Sequence, residues 1–303
     1  MEKNSSEIID VLLRLLSVKG IGFVKANKIV LNLKDKGLLD FKFRKAVLSY
    51  LNNEQVANFE NHSKALLSED SKVNYISVID EGYPKELLDD LGLSSPTVLS
   101  VMGNVELLKK RKIGFSGSRN VSDKGIHITQ DIASQLTESG FCLVSGYANG
   151  VDIAVHKTAL QTGGSTILVL PEGIGSFRIK NELKPYWDWN RVLVLSEFSP
   201  SAKWSVSRAM QRNRTIIALS KAMMVIEAGE KGGSLDAGLK TINTGKKLFV
   251  PQYAEFPVSA LGNAQLIQHG AFPLKMKRSN NRANLDGFYD FIAHPQPAMA
   301  LFS

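Results

Sequence analysis

Three stretches of the chain set glycines and small hydroxyl residues directly after an apolar run and before an amphipathic one. They are Phe115-Ser116-Gly117-Ser118-Arg119, Ser145-Gly146-Tyr147-Ala148-Asn149-Gly150-Val151-Asp152 and Glu227-Ala228-Gly229-Glu230-Lys231-Gly232-Gly233-Ser234-Leu235. Such turns let a backbone approach an anion and aim N–H groups at it, and the following helix adds the positive end of its dipole. Arg119 contributes a planar fork of donors matched to phosphate. A single turn of this kind is only a tight connection, whereas three reaching one sheet edge form a phosphate-binding surface. The candidate contacts are Ser116, Gly117, Ser118, Arg119, Ser145, Gly146, Tyr147, Ala148, Gly150, Gly232, Gly233 and Ser234. No glycine precedes Lys-Ser or Lys-Thr as in a Walker A loop, and no full dinucleotide fingerprint is present, which disfavours ATP hydrolysis and nicotinamide chemistry.

The second chemical feature is a run of cations. Lys203, Arg208, Arg212, Arg214 and Lys221 fall in one segment without an acid, with Asn213 between two of the arginines. On a helix, Arg208 and Arg212 share a face and repel each other unless an anion lies between them, so the segment points to a polyanion. Acid–base and metal chemistry find less support. Asp152 and His156 stand four apart on an expected helix, read as a structural hydrogen bond because no third ligand and no His-Glu-x-x-His spacing accompanies them. Glu197 and Glu227 each end an apolar run at the same edge and are expected to orient the arginines by ion pairing. Cys142, the one cysteine, lies in an apolar run, reads as a buried thiol and excludes an intramolecular disulfide.

The elements that must carry these residues alternate. Strand-like runs at 113–116, 142–145, 166–170, 192–196, 222–227 and 247–251 are separated for the most part by helical patterns at 122–138, 151–162, 205–219 and 235–243. Strands apolar throughout and separated by helices are parallel strands buried on both faces, giving an α/β fold with a doubly wound, mostly parallel sheet. Residues 1–70 instead show helical spacing, as in Ile8, Ile9, Leu12, Leu13, Leu15 and Leu16. Within them Val18 to Ile29 fits a helix-hairpin-helix, and the segment reads as a small all-helical, SAM-like domain in which Lys19, Gly20, Gly22, Lys25 and Lys28 would meet a phosphate backbone. The expected division is 1–70 helical, 71–272 α/β, and 273–303 a basic tail carrying Lys275, Lys277, Arg278 and Arg282, too short for a winged-helix domain.

With 303 residues, 44% hydrophobic, 22% charged and 24 glycines, the chain is globular, which excludes a collagen, a coiled-coil rod and a low-complexity chain. The net charge of +8 favours a polyanionic partner. The start lacks the basic and apolar regions of a signal peptide and no run approaches a membrane span, so a cytoplasmic protein with no membrane partner is expected.

The ordered motifs resemble the DprA/Smf family of bacterial DNA-processing proteins. The matching residues are Tyr83-Pro84 to Leu88, Pro96-Thr97-Val98-Leu99, Gly103-Asn104, the Gly-Ser-Arg turn at 117–119, SGYANGVD at 145–152 with His156, RNRTIIALS at 212–220, VIEA at 225–228, GGSL at 232–235 and GNAQLIQHGA at 262–271. They cover roughly residues 75–271. The resemblance implies an extended Rossmann domain that binds and protects single-stranded DNA, forms a homodimer, and loads a RecA-type recombinase on strands coated by single-strand binding protein in natural transformation. It implies no cofactor, no metal and no catalytic residue. Arg119, the second turn, Lys180, Asn181, Arg212, Asn213 and Arg214 would face the strand, with Phe177 and Tyr147 as base-stacking candidates. The sequence departs from the pattern at Phe177-Arg178, Ala209-Met210 and Gly232. Two other classes are kept: a nucleotide-processing enzyme resembling the LOG phosphoribohydrolases, whose glutamate position falls on Ala237 with Asp236 adjacent, and a nucleotide-signal sensor.

Overall fold

The computed structural model describes residues 2–40, 42–61, 67–68, 70–277, 280 and 282–294. The chain opens with four helices, α1 (Glu2–Ser17), α2 (Phe23–Asp35), α3 (Phe43–Leu48) and α4 (Asn53–Asn61). Apolar residues three and four apart, such as Ile9, Leu12 and Leu13 in α1 and Ala26, Ile29, Val30 and Leu33 in α2, give each a buried stripe. The stripes do not close on themselves. The apolar cluster that holds Leu12, Val30 and Phe59 continues into Leu87, Val98 and Leu99 of the α/β region. Polar contacts reinforce that junction, because the fully buried Asn27 side chain donates to the carbonyls of Leu93 at 2.9 Å and Ser95 at 2.8 Å.

From residue 74 the chain runs through β1 (Asn74–Ser77), α5 (Lys85–Leu91), β2 (Val98–Gly103), β3 (Lys112–Ser116), α6 (Asp123–Glu138), β4 (Cys142–Ser145), α7 (Val151–Gln161), β5 (Ser165–Val169), β6 (Val192–Ser196), α8 (Val206–Leu219), β7 (Ala222–Val225), α9 (Gly233–Asn243), β8 (Lys247–Pro251), α10 (Leu261–Gln268), β9 (Phe272–Leu274) and α11 (Asp286–Ala293). The nine strands form one sheet in the order β1-β2-β6-β5-β4-β3-β7-β8-β9. The seven from β6 to β9 pair in parallel, while β2 is antiparallel to both β1 and β6. Helices cover both faces. Alternate residues of β7 therefore enter different cores, Met223 and Val225 on one side and Ala222 and Met224 on the other.

From β3 the chain winds outward through β4, β5 and β6, then returns to place β7 on the other flank of β3. Such a reversal leaves a crevice beyond the strands' carboxyl ends, where ligands bind in open α/β sheets.

Beyond residue 272 the chain departs from the expected tail. Met276 bridges Ala283, and α11 buries Phe288 edge-on against Phe141 at 5.6 Å and Phe249 at 5.5 Å. The three- and four-residue spacing of Leu285, Phe288, Tyr289 and Ile292 supplies that apolar face. Two of the basic residues are also engaged within the fold, Arg282 with Asp131 at 2.8 Å and Lys277 with Asp286 at 2.9 Å. Arg278 lies outside the described residues. Among the described residues no helix is long and apolar enough to cross a membrane.

Candidate nucleic-acid interface

The crevice receives all three glycine turns, from the ends of β3, β4 and β7. The first two are locked together. Val151 packs so close to Gly117 that a Cβ there would overlap it, and Gly150, at φ +78°, brings its α-carbon against the Ser118 and Arg119 carbonyls. The Val151 amide donates to the Ser118 carbonyl at 3.3 Å. Gly232, at φ +113°, turns the third loop into α9, whose first residues are Gly233 and Ser234.

A cavity of about 420 Å³ lies among these turns and the start of α8, lined by Ser116, Gly117, Ser118, Arg119, Asn213, Lys231, Gly233 and Ser234. A second, of about 370 Å³, continues past Tyr147, Asn149 and Glu172. Arg119, Ala148, Trp204 and Arg212 line both, so the two form one groove.

Arg212 is the unusual residue there. It is only 6% exposed, fills the space that a side chain at Gly146 would need, and leaves its Nε without a hydrogen-bond partner. No carboxylate lies within salt-bridge distance among the described residues, although Asp152 is close enough to support its charge. Burial lowers its pKa, against the pull of Asp152 and Glu197. An unpaired buried cation is costly to hold and ready for an anion.

The second turn is braced from beneath. Asp152 accepts from the Ser145 hydroxyl at 2.8 Å and the Ala148 amide at 3.1 Å. His156, wholly buried, contacts the Gly146 carbonyl through Nε2 at 2.6 Å and the Thr166 hydroxyl through Nδ1 at 2.7 Å. Because that carbonyl only accepts, Nε2 carries the proton, and Nδ1 shares the single Thr166 hydroxyl hydrogen with the Leu143 carbonyl, which lies 2.8 Å from that hydroxyl. The expected structural role holds, but each residue has its own partners rather than the other.

Burial pushes the His156 pKa down to about 4, whereas in an unfolded chain it titrates near 6.5. Between those values protons favour the unfolded chain. Stability owed to neutral His156 is therefore complete above pH ~6.5 and drains away toward pH ~4, by up to roughly 3 kcal/mol. Thermal melts across this window should show that slope and a shallower one in His156→Gln; equal slopes would remove His156 as the cause.

Glu197 and Glu227 do not hold arginines. Glu227 accepts from the Ser122 amide at 2.9 Å, the Ser122 hydroxyl at 2.5 Å and the Tyr253 hydroxyl at 3.0 Å, tying the third turn to the start of α6. Glu197 accepts from the Thr215 hydroxyl. Both are buried where hydroxyl donors from distant segments reach them before a guanidinium does.

Phe177 is 7% exposed, packed between Tyr147 at 5.5 Å and Trp187 at 5.8 Å, and presents no free ring face to a base. Tyr147 is half-buried. Its hydroxyl accepts from the Lys180 amide at 2.8 Å and donates to the Arg178 carbonyl at 3.0 Å. Lys180 Nζ lies 4.8 Å from the Tyr147 ring centre and donates to the Tyr147 carbonyl and to Asn149 Oδ1, so it braces this turn. Asn181 is exposed nearby.

Arg208 and Arg212 line different cavities. Arg208 turns back to the Lys203 carbonyl and, with Arg214, lines a cavity behind α8 that also receives Gly20, Gly22 and Lys25 of the helical hairpin. Lys19 and Lys28 are exposed and line none of these cavities.

Trp204 went unnoticed in the sequence. It is 48% exposed, with the Arg119 guanidinium 5.6 Å from its ring centre at the mouth of the groove. An aromatic inside an acid-free basic run was the available signal. Asp236 pairs with Lys240 at 2.8 Å, and Ala237 is buried, so the phosphoribohydrolase glutamate has no counterpart. Among the described residues no three His, Cys, Asp or Glu side chains gather as a metal site. The Cys142 thiol is buried and free.

Known proteins resemble this chain in sequence and fold. A family model described as DNA recombination-mediator protein A matches residues 74–282. The DNA processing protein DprA of Streptococcus pneumoniae is 33% identical over 214 residues, 70% of this chain and 75% of the relative. The Bacillus subtilis DprA is 31% identical over 205 residues, 66% and 67% of the two chains. The solved S. pneumoniae DprA structure superposes with a TM-score of 0.72 at 28% identity, covering 86% of this chain and 92% of that one. A Helicobacter pylori DprA structure, described for its single-stranded DNA binding mode, superposes with a TM-score of 0.59 at 24% identity, over 75% and 98% of the two chains, and shares the fold. With its matched segment spanning the sheet from β1 to β9 and all three turns, the chain belongs to the DprA family of DNA recombination mediators.

Proposed function

We propose that this protein binds single-stranded DNA in the groove beyond β3, β4 and β7, with phosphates on the glycine turns, Arg119 and Arg212 and bases against Trp204. The observation that carries the reading is Arg212, a buried guanidinium with no carboxylate at salt-bridge distance among the described residues, beside three phosphate-type turns. Membership of a recombination-mediator family supports the same class of partner. Base–aromatic stacking suits single strands because every base exposes a π-face once unpaired. In the same reading the protein works in the cytoplasm as a homodimer, without a chemical step, shielding the strand and handing it to a RecA-type recombinase in the presence of single-strand binding protein.

The test is a fluorescence-anisotropy titration of a labelled single strand and its duplex at several salt concentrations. A preference for the single strand is expected, with log affinity falling by about 0.7 per phosphate contact for each log unit of salt. Trp204→Ala should weaken the complex by about 1–3 kcal/mol. Equal, salt-insensitive binding of both forms would sink the reading.

A further inference from the structure

A cavity of about 650 Å³ lies behind α8, between its Arg208 and Arg214 and the hairpin joining α1 to α2. Its walls are of four kinds. Leu13, Phe23 and Phe198 give it apolar surface. Lys25, Arg208 and Arg214 give it cations, and Arg214 forms no salt bridge among the described residues. Gly22, Phe23, Val24 and Lys25 bring in the first turn of the 13-residue α2, which has neither an acid nor a side-chain cap, so its early amides lack protein acceptors.

The fourth is Glu197. Only 4% exposed, it gives one oxygen to the Thr215 hydroxyl, while its Oε1 is buried in this lining without a hydrogen-bond partner. Buried acceptors in native proteins are met by a donor, and among the described residues the nearby Gln211 side chain, which also lines the cavity, does not complete a hydrogen bond to this oxygen. The cavity thus asks for an anionic group, an apolar body and an N–H donor in one molecule. A nucleotide has all three.

We propose that this cavity is a second site, separate from the groove, for a nucleotide unit whose phosphate meets Lys25, Arg214 and the amino end of α2 and whose base donates an N–H to Glu197 Oε1. The unit comes either from a free nucleotide or from a strand already held across α8. Helix α8 makes the second source geometrically simple, since Arg212 lines the groove and Arg208 and Arg214 line this cavity. The inference stands whether or not the groove binds DNA.

Calorimetric titration of the full chain with the four ribonucleoside 5′-monophosphates, and with inorganic phosphate, tests it. At least one nucleotide should bind, about tenfold or more weakly in each of Glu197→Gln, which turns the acceptor toward a donor, and Arg214→Ala, which removes a half-exposed cation. Lys109→Ala, which removes an exposed cation that lines neither this cavity nor the groove, should leave that binding unchanged. If no mononucleotide binds, but single-strand affinity falls in Glu197→Gln and Arg214→Ala, the occupant is a unit of the strand. Phosphate binding as tightly as the nucleotides would overturn the proposal, as would nucleotide and strand binding that ignore both variants.

Discussion

Arg212→Met should weaken single-strand binding by about 2–3 kcal/mol, on the order of a hundredfold in Kd, while leaving the melting temperature unchanged or raised. Methionine keeps an unbranched chain of similar length beside Gly146, so the packing survives and only the charge and the donors go. The two readouts separate because, among the described residues, no carboxylate lies within salt-bridge distance of the cation: the folded protein bears its desolvation, and a phosphate recovers it. A merely structural arginine would lose stability and binding together. Strand affinity equal to that of the unaltered protein would remove Arg212 from the interface. The salt dependence supplies a second check, with the log–log slope flattening by about 0.7 for each phosphate the variant no longer neutralises.

Gly150→Ala should cost about 2–4 kcal/mol of stability and abolish tight strand binding, as measured by denaturant melts and anisotropy on the same sample. At φ +78°, ψ −127° this residue occupies backbone space almost closed to other amino acids. An added methyl would also press into the Ser118 and Arg119 carbonyls, forcing the first turn away from the second. Gly163→Ala is the control. Its φ is also +78°, but nothing lies within 4 Å of its Cβ position, so it should show backbone strain alone and bind normally. Equal binding losses in the two variants would show that turn-to-turn contact is not what shapes the groove.

Much of the fold was legible because buried parallel strands are written as unbroken apolar runs. Cys142–Ser145 and Val192–Ser196 stand where the pattern put them, and α6 starts where its helical pattern begins, just after Ser122, whose hydroxyl accepts from the Gly125 amide at 3.0 Å. The three turns were legible for a related reason: close approach of one backbone to another demands glycine at fixed places. What escaped were pairings set by distant segments. That Glu197 would meet Thr215, and Glu227 would meet Ser122 and Tyr253, depends on helices folding back across the sheet. Phe177 shows another limit, since an aromatic in a loop does not announce which way its ring turns. The basic residues near 277 and 282 read as a tail because local charge hides the apolar spacing of α11.

Asn27 has a wider meaning. With both of its amide hydrogens given to carbonyls on a loop some seventy positions later, and the apolar stripe beside it merging with Leu87 and Leu99, the front helices are not a bead on a string. The two parts of this chain are mechanically one unit. Grafting a different front end onto the same sheet would have to bring a matching amide and a matching greasy face, so inheritance of one half constrains the other.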